Sequence, residues 1–257
     1  MLRCKSWVAE IGKWIFELQL GKILMKRSEI NEIIRSADKF IRECGFSLPP
    51  FAYWTPENWS QKGVEVREIA QNHLGWDITD FGSGNFQTCG LILFTLRNGS
   101  SDNWRDLRGK LYAEKLLVVD VDQVTPMHFH WKKMEDIINR GGGNLMVQLY
   151  HSTPDQKIDL EREMIISVDG VEQKLPPGGV VTLTPGESIT LPPFCYHKFW
   201  GTGRRVLVGE VSLVNDDNSD NCFVDQQGRF PVIVEDEQPL YLLVTDYQKY
   251  YRAFDET

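Results

Sequence analysis

The residues with the clearest chemical potential stand in one run, Pro126-Met127-His128-Phe129-His130-Trp131-Lys132-Lys133-Met134-Glu135. The chain has five histidines, and two of them are separated here by a single residue. On a strand, residues i and i+2 share a face, so His128 and His130 can direct their rings at one point. Glu135 follows after a charged stretch able to turn the chain back. A third imidazole, His197, lies far downstream, close to Cys195. Three imidazoles and one carboxylate suit a divalent transition metal with open coordination positions. A His-x-His pair alone reads more simply as an exposed polar loop, with His197 unrelated to it. The four groups together outweigh that reading. Cys195 is read as a small residue packed under the site rather than a nucleophile.

Such a set needs a scaffold of short strands, and the sequence supplies one. From Phe86 onward, apolar runs divided by turn signals succeed one another: Leu91 to Leu96, Leu111 to Val121, Leu145 to Tyr150 and Ile165 to Val168. Val180 to Leu183, Ser188 to Leu191, Tyr196 to Trp200 and Val206 to Leu213 continue the series, and Asp169-Gly170 is the strongest hairpin signal. Even spacing of this kind predicts an all-β barrel or jelly roll. Residues 25–85 read instead as helical. Ser28 can cap a helix carrying Ile30, Ile33, Ile34, Ala37, Phe40 and Ile41 on one face, with Gly45 as its stop. Thr55-Pro56 opens a second helical turn, and a further stretch from about Val64 to Leu74 ends at Gly75. The aromatic residues Phe51, Tyr53, Trp54, Trp59 and Trp76 fall here. Packing of helices on the barrel explains them more simply than a platform for sugar stacking. The tail, 216–257, is acidic and aromatic and reads as a wrapping segment, with Leu240 to Val244 an edge strand or part of the wrap.

The spacing of the histidines resembles the two-part signature of the cupin barrels: His-x-His, three or four residues, Glu, six residues, Gly, then Gly-x5-Pro-x-Gly-x2-His-x3-Asn. Glu135 and Gly142 bracket six residues here, and Gly186, Pro192 and His197 fall in register. Asp122 replaces the glycine expected before the first histidine, Phe194 the second glycine of the later motif, and Gly201 its asparagine. No ligand is lost. The expected fold is therefore mainly β, a cupin β-barrel of jelly-roll type with N-terminal helices packed on it. It spans one domain, 25–257, with the barrel at about 86–215.

Composition narrows the class further. At 257 residues the chain can bury one sizeable core, and 42% hydrophobic with 25% charged residues describes a soluble globular protein. A net charge of −8 argues against binding a nucleic-acid backbone. Five scattered cysteines with no Cys-x-x-Cys pair fit a reducing cytoplasm. No run is long and apolar enough to span a bilayer. Gly141-Gly142-Gly143 is not a phosphate loop, since no Lys-Ser/Thr and helix follow.

A small barrel leaves room for one small ligand. A metal with two adjacent free positions would chelate oxygens on neighbouring carbons, as in a hydroxy-aldehyde, and polarise the carbonyl. Moving hydrogen between those carbons then requires acid-base groups nearby. Lys115 shares its strand face with Ala113, Leu117 and Val119 and so points inward, unless it forms an edge ion pair. Glu210 shares a face with Val206 and Val208; apolar surroundings would raise its pKa and suit a general base, the alternative being a salt bridge at the rim. Asp216 and Asp217 either bind sugar hydroxyls or form a solvated loop.

A closer resemblance lies in Phe94-Thr95-Leu96-Arg97-Asn98-Gly99, Tyr112-Ala113-Glu114-Lys115, Gln123 through Trp131, Glu135 through Asn144, Pro185 through Ser188, Leu207 through Ser212 and Val214-Asn215-Asp216-Asp217. These stretches are similar to the bacterial D-lyxose isomerases, over essentially everything from Met25 onward. The resemblance implies a cytoplasmic, typically dimeric aldose-ketose isomerase interconverting D-lyxose and D-xylulose, and often D-mannose and D-fructose. It implies a divalent metal, Mn²⁺ first and Zn²⁺, Co²⁺ or Ni²⁺ after it, on His128, His130, Glu135 and His197. The inward strand faces, for their part, make Glu210 and Lys115 the expected catalytic pair through a cis-enediol, with Lys115, Asp217 and Glu210 the expected substrate contacts. Two rivals remain. A cupin dioxygenase would use the same ligands with iron and oxygen, and anaerobic turnover would exclude it. A sugar-sensing regulatory cupin would normally bring a DNA-binding helical domain, for which neither the charge nor the N-terminal length speaks.

Residues 1–24 lie outside the resemblance and precede a fresh-looking start at Met25. A chain beginning at Met25 is expected to fold and turn over like the full-length protein, measured by melting temperature and specific activity. Precipitation or lost activity would show the extension to be structural.

Overall fold

The computed structural model of the protein describes residues 24–100, 102–103, 108–217, 219–225, 228 and 231–254. Apart from Leu24, the N-terminal extension lies outside them. Strand β1 (Leu24–Lys26) leads into helix α1 (Arg27–Glu43), followed by α2 (Pro56–Ser60) and α3 (Arg67–Gln71). The strands are β2 (Gly75–Thr79), β3 (Leu91–Arg97), β4 (Tyr112–Val119), β5 (Val124–Phe129), β6 (Glu135–His151), β7 (Met164–Val168) and β8 (Val171–Leu175). They continue with β9 (Val180–Leu183), β10 (Ser188–Leu191), β11 (Cys195–Leu213), β12 (Cys222–Phe223) and β13 (Val232–Val234), and α4 (Tyr247–Tyr250) lies near the end.

The two long strands, β6 and β11, pair antiparallel with each other and organise the rest. Around the first half of β11 and the second half of β6 the order is β12–β5–β11–β6–β9. Around the remaining halves it is β2–β3–β4–β11–β6–β10–β7–β8. The result is a mainly antiparallel jelly roll, its layers sharing β6 and β11. The hydrogen-bonded path does not close into a ring among the described residues, so the expectation of a barrel holds as a jelly roll only.

Strand alternation builds the core. On β4, Leu117 and Val119 face the interior with Leu93, Val147, Leu149 and Val208. Leu116 and Val118 face outward, where Ile92, Phe94 and Leu207 receive Ile30, Ile34 and Ile41 of α1. Burying each such side chain stabilises the fold by roughly 1.5–3 kcal/mol. The aromatic residues pack as expected: Trp76 meets Phe94 edge-on at 5.1 Å, and Trp59 lies against Tyr247 and Tyr251 of the C-terminal segment.

Irregularities in pairing decide which residues face in. From Thr202 to Val208, β11 advances six residues while β6 advances five, from Asn144 to Asn139. A one-residue shift reverses the faces of a strand. Cys195 and Phe199 therefore point into the core before it, and Val206 and Val208 after it. On β5 the same occurs: His128 pairs with His197 but Thr125 with Phe199, three residues against two.

Several local expectations are corrected. Ser28 does not cap α1. Its N–H and Oγ donate to the Asp236 carboxylate at 2.9 and 2.7 Å, because a charged acceptor at the positive helix end outcompetes the hydroxyl. The stretch 64–74 forms a 3-10 turn and the short α3 rather than one helix, and Gly75 (φ 122°) opens β2, inside the span read as helical. Strand β6 starts at Glu135, ten residues earlier than its apolar run suggests. Leu240 to Val244 wraps the sheet, touching its edge through a bridge from Leu243 to Trp76. Other expectations hold: Gly45 (φ 78°) ends α1, Thr55 caps α2, and Asp169-Gly170 (φ 49° and 82°) turns β7 into β8. No helix among the described residues is long and apolar enough to cross a membrane.

Arg27 ties the two ends of the chain together. Fully buried, its guanidinium grips Asp246 at 2.9 and 2.8 Å and Glu235 at 2.9 Å through each of two nitrogens. Arg27→Met leaves the buried Asp246 without its cation and is expected to cost about 3–5 kcal/mol, read as a lowered urea midpoint. Adding Asp246→Asn should recover part of the loss. An unchanged midpoint would refute this role.

Candidate active site

His128, His130, Glu135, His197, Lys115, Glu210 and Asp217 all line one cavity inside the jelly roll. Paired β5 and β11 bring His128 opposite His197, His130 follows β5, and Glu135 opens β6. None of these four is more than 8% exposed. The departures from the cupin signature preserve the backbone: Asp122 (φ 59°) and Phe194 (φ 61°) keep the left-handed conformation that glycine would adopt. For a phenylalanine this strain costs roughly 1–3 kcal/mol. It is offset where the Phe194 N–H donates to the His130 carbonyl at 2.9 Å, fixing a ligand segment.

Each imidazole is oriented from behind. Nδ1 of His128 donates to the Pro126 carbonyl (2.7 Å), that of His130 to Asp220 (2.7 Å) and that of His197 to Cys195 (3.0 Å). A carbonyl only accepts, so each ring keeps its proton on Nδ1 and presents an unprotonated Nε2. The three rings offer nitrogens within 4.8 Å of one another. Glu135 Oε1 lies 3.0 Å from Nε2 of His197 and 3.4 Å from Nε2 of His130. In this tautomer no proton joins them. These three atoms have no hydrogen-bond partner among the described residues. Buried acceptors converging without a donor are what a cation satisfies, and the residues fit a divalent metal. Burial and the neighbouring rings hold His128 well below the usual imidazole range, which keeps its lone pair free. Burial pushes the Cys195 thiol up to about 12, so it is inert packing as read.

Beside the imidazoles lies a buried ionic cluster. Lys115 on β4 pairs directly with Glu210 on β11, with Nζ 3.6 Å from Glu210 Oε1 and 3.7 Å from Asp217 Oδ1. Lys133 Nζ contacts Glu135 Oε2 at 2.7 Å and Glu210 Oε1 at 2.8 Å. Lys115 also donates to Asn215 Oδ1 (2.6 Å), and Asn215 is held by two reciprocal bonds with Asn98 (3.0 and 2.9 Å). Lys115 (3% exposed) and Glu210 (5% exposed) are thus an ion pair, but inside the cavity rather than at an edge or rim. The expected rise in the Glu210 pKa is corrected. Burial does push it up, but Lys115 and Lys133 outweigh burial and hold the carboxyl below its usual range. Burial likewise opposes charge on Glu135, and Lys133 again prevails, holding it well below the carboxylate range. Burial alone would lower Lys133; Glu135 and Glu210 raise it instead.

Lys133 escaped the sequence reading because it lies in the stretch taken only as a turn; its position two residues before Glu135 was the available signal. Asp220 escaped it too. Its carboxylate accepts the backbone N–H groups of Lys132 and Lys133, both at 2.9 Å, while its own carbonyl orients His130. One residue thus fixes both the lysine turn and an imidazole of the candidate metal group. No local pattern announces a contact across so much sequence.

A jelly roll whose interior carries three oriented imidazoles and a carboxylate is a cupin-type fold with a group that could hold a divalent metal. The sequence profile of the D-lyxose isomerase family matches residues 25–247. The D-lyxose/D-mannose isomerase of Escherichia coli O157:H7 is 46% identical over 229 residues, 88% of this chain and 100% of that protein. That of Serratia proteamaculans is 44% identical, over 88% of this chain and 99% of the relative. Among solved structures, L-ribose isomerase of Cellulomonas parahominis shares the fold, with a TM-score of 0.56 at 15% identity over 82% of this chain and 99% of that one. The chain belongs to the D-lyxose isomerase family and is an aldose-ketose isomerase.

The Asp220 carboxylate, anchored on the Lys132 and Lys133 N–H groups, seats the backbone carbonyl that orients His130, so removing the carboxylate lets that carbonyl and the ring shift. Asp220→Ala is expected to weaken divalent-metal affinity roughly 10- to 100-fold, measured by competition with a chromogenic chelator. Affinity equal to wild type would remove Asp220 from the site's support.

Proposed function

We propose that the chain is a metal-dependent isomerase interconverting D-lyxose and D-xylulose, with D-mannose and D-fructose as a second pair. The observation carrying this reading is the single buried cavity in which unpaired acceptors of His130, Glu135 and His197 adjoin the Lys115–Glu210–Lys133 cluster. The same reading takes Mn²⁺ as the resident ion, on His128, His130, Glu135 and His197, in a cytoplasmic homodimer. When bound, such an ion supplies Lewis acidity to the carbonyl and hydroxyl oxygens of the aldose.

The chain's own groups account for the proton movements. Glu210, held ionised by its two lysines, takes the proton from C2 of the open-chain aldose. The C2–H electron pair becomes the C1=C2 bond, and negative charge gathers on O1. Lys115 and Lys133 offset that charge from one side of the cavity. Return of the proton to C1, with the hydroxyl proton passing from O2 to O1, completes the ketose. Proton uptake loosens the ion pairs of Glu210, so a low resting pKa is compatible with a base that must also give its proton back. Asp217 contributes a hydroxyl contact beside Lys115. The apolar inner wall keeps bulk water from the planar intermediate.

Manganese-loaded protein offered a panel of free aldoses is expected to form ketose fastest from D-lyxose, and chelation should abolish turnover with recovery on adding Mn²⁺. In D₂O the product should carry deuterium at C1, at least in part, since a shielded base can return the same proton. Glu210→Gln should cut kcat by roughly 10²- to 10⁴-fold while metal stays bound. Full turnover in a metal-free sample would overturn the metal's role. An active Gln variant giving product without solvent deuterium would point to a hydride shift.

A further inference from the structure

One buried polar atom on the cavity wall remains outside this account. Thr125 is 3% exposed and lines the same cavity as the imidazoles, and its Oγ1 has no hydrogen-bond partner among the described residues. Strict alternation along β5 would turn Thr125 away from His128, an odd number of residues off. The irregularity between His197 and Phe199 reverses this, seating Thr125 opposite Phe199 on the inward face. A hydroxyl buried without a partner normally costs stability. The other buried acceptors without partners all belong to the metal-binding group. Thr125 sits opposite Phe199, and Leu91, Leu93 and Leu117 line the same cavity.

We infer that Thr125 Oγ1 is a specificity-determining substrate contact, reading one hydroxyl of the aldose beyond the reacting C1 and C2. The inference rests on the isomerase reading and deepens it. A hydroxyl both donates and accepts, so it can pair with a sugar hydroxyl in either sense. Its side chain adds an unpaired hydroxyl to a cavity that Leu91, Leu93, Leu117 and Phe199 also line. Sites built this way discriminate strongly against an analogue lacking the matching hydroxyl, because the protein group is then left buried and unpaired.

The test separates this role from a structural one by opposite signs. Thr125→Val keeps the shape and removes the hydroxyl. Its metal-free melting temperature should be unchanged or raised, since no internal bond is lost. Its kcat/KM on D-lyxose should fall roughly tenfold, the equivalent of one net hydrogen bond. Among the 3-, 4- and 5-deoxy forms of D-lyxose, one should be turned over equally by wild type and variant, marking the hydroxyl that Thr125 reads. Thr125→Ser should retain wild-type preference. A Val variant that melts lower assigns the hydroxyl to the fold, and unchanged kcat/KM on D-lyxose, or an equal loss on every deoxy sugar, removes it from recognition; each overturns the proposal. A wild-type enzyme inert toward D-lyxose would instead overturn the parent reading, and this proposal with it.

Discussion

Two lysines and two glutamates share one buried cavity, and their mutual neutralisation is the constraint on which the rest depends. Moving any one of these groups from water into the interior alone would cost several kcal/mol, and removing one partner would strand the others. The fold answers with a chain of contacts, Glu135 to Lys133 to Glu210 to Lys115, running across β6, β11 and β4. Asn98 and Asn215 brace one end, and Asp220 braces the turn that carries Lys133. The cluster also joins two kinds of chemistry, because Glu135 gives one oxygen to Lys133 and turns the other toward the imidazoles.

What could be read directly from the sequence was whatever obeys a local period. Alternation correctly turned Lys115 inward on β4, and the i, i+3, i+4 pattern located α1 and its buried face. That His128, His130, Glu135 and His197 meet was legible because the spacing of a signature runs through β5, β6 and β11. What escaped notice depends on partners distant in sequence. The Glu210 environment looked apolar because its strand neighbours are valines; the decisive charges come from Lys115 across the ladder and Lys133 from another turn. Ser28 looked like a cap because Asp236, which displaces it, lies more than two hundred residues away. Thr125 was invisible for a different reason, since no period survives a shift in pairing register.

The outer layer serves the inner one. Helix α1 covers the back of the sheet whose front carries Lys115 and Glu210, so both faces of β4 are buried from Lys115 to Val119. The C-terminal segment locks that helix through Arg27, Asn31 and Ser28. An ionic cluster gains from this arrangement, because excluding water from behind the sheet lowers the local dielectric and strengthens each contact within it.

The uneven pairing at Thr202 to Val208 bears on how this fold can diverge. His197 precedes the irregularity and Glu210 follows it, on one continuous strand. Deleting a single residue from the stretch 207–209, between that corner and Glu210, would turn Glu210 to the outer face while leaving Val206 inward and His197 opposite His128. Such a descendant would retain its imidazole group but lack the facing carboxylate. A length change of one codon could thus part the imidazole group from the lysine-paired carboxylate that now shares its cavity.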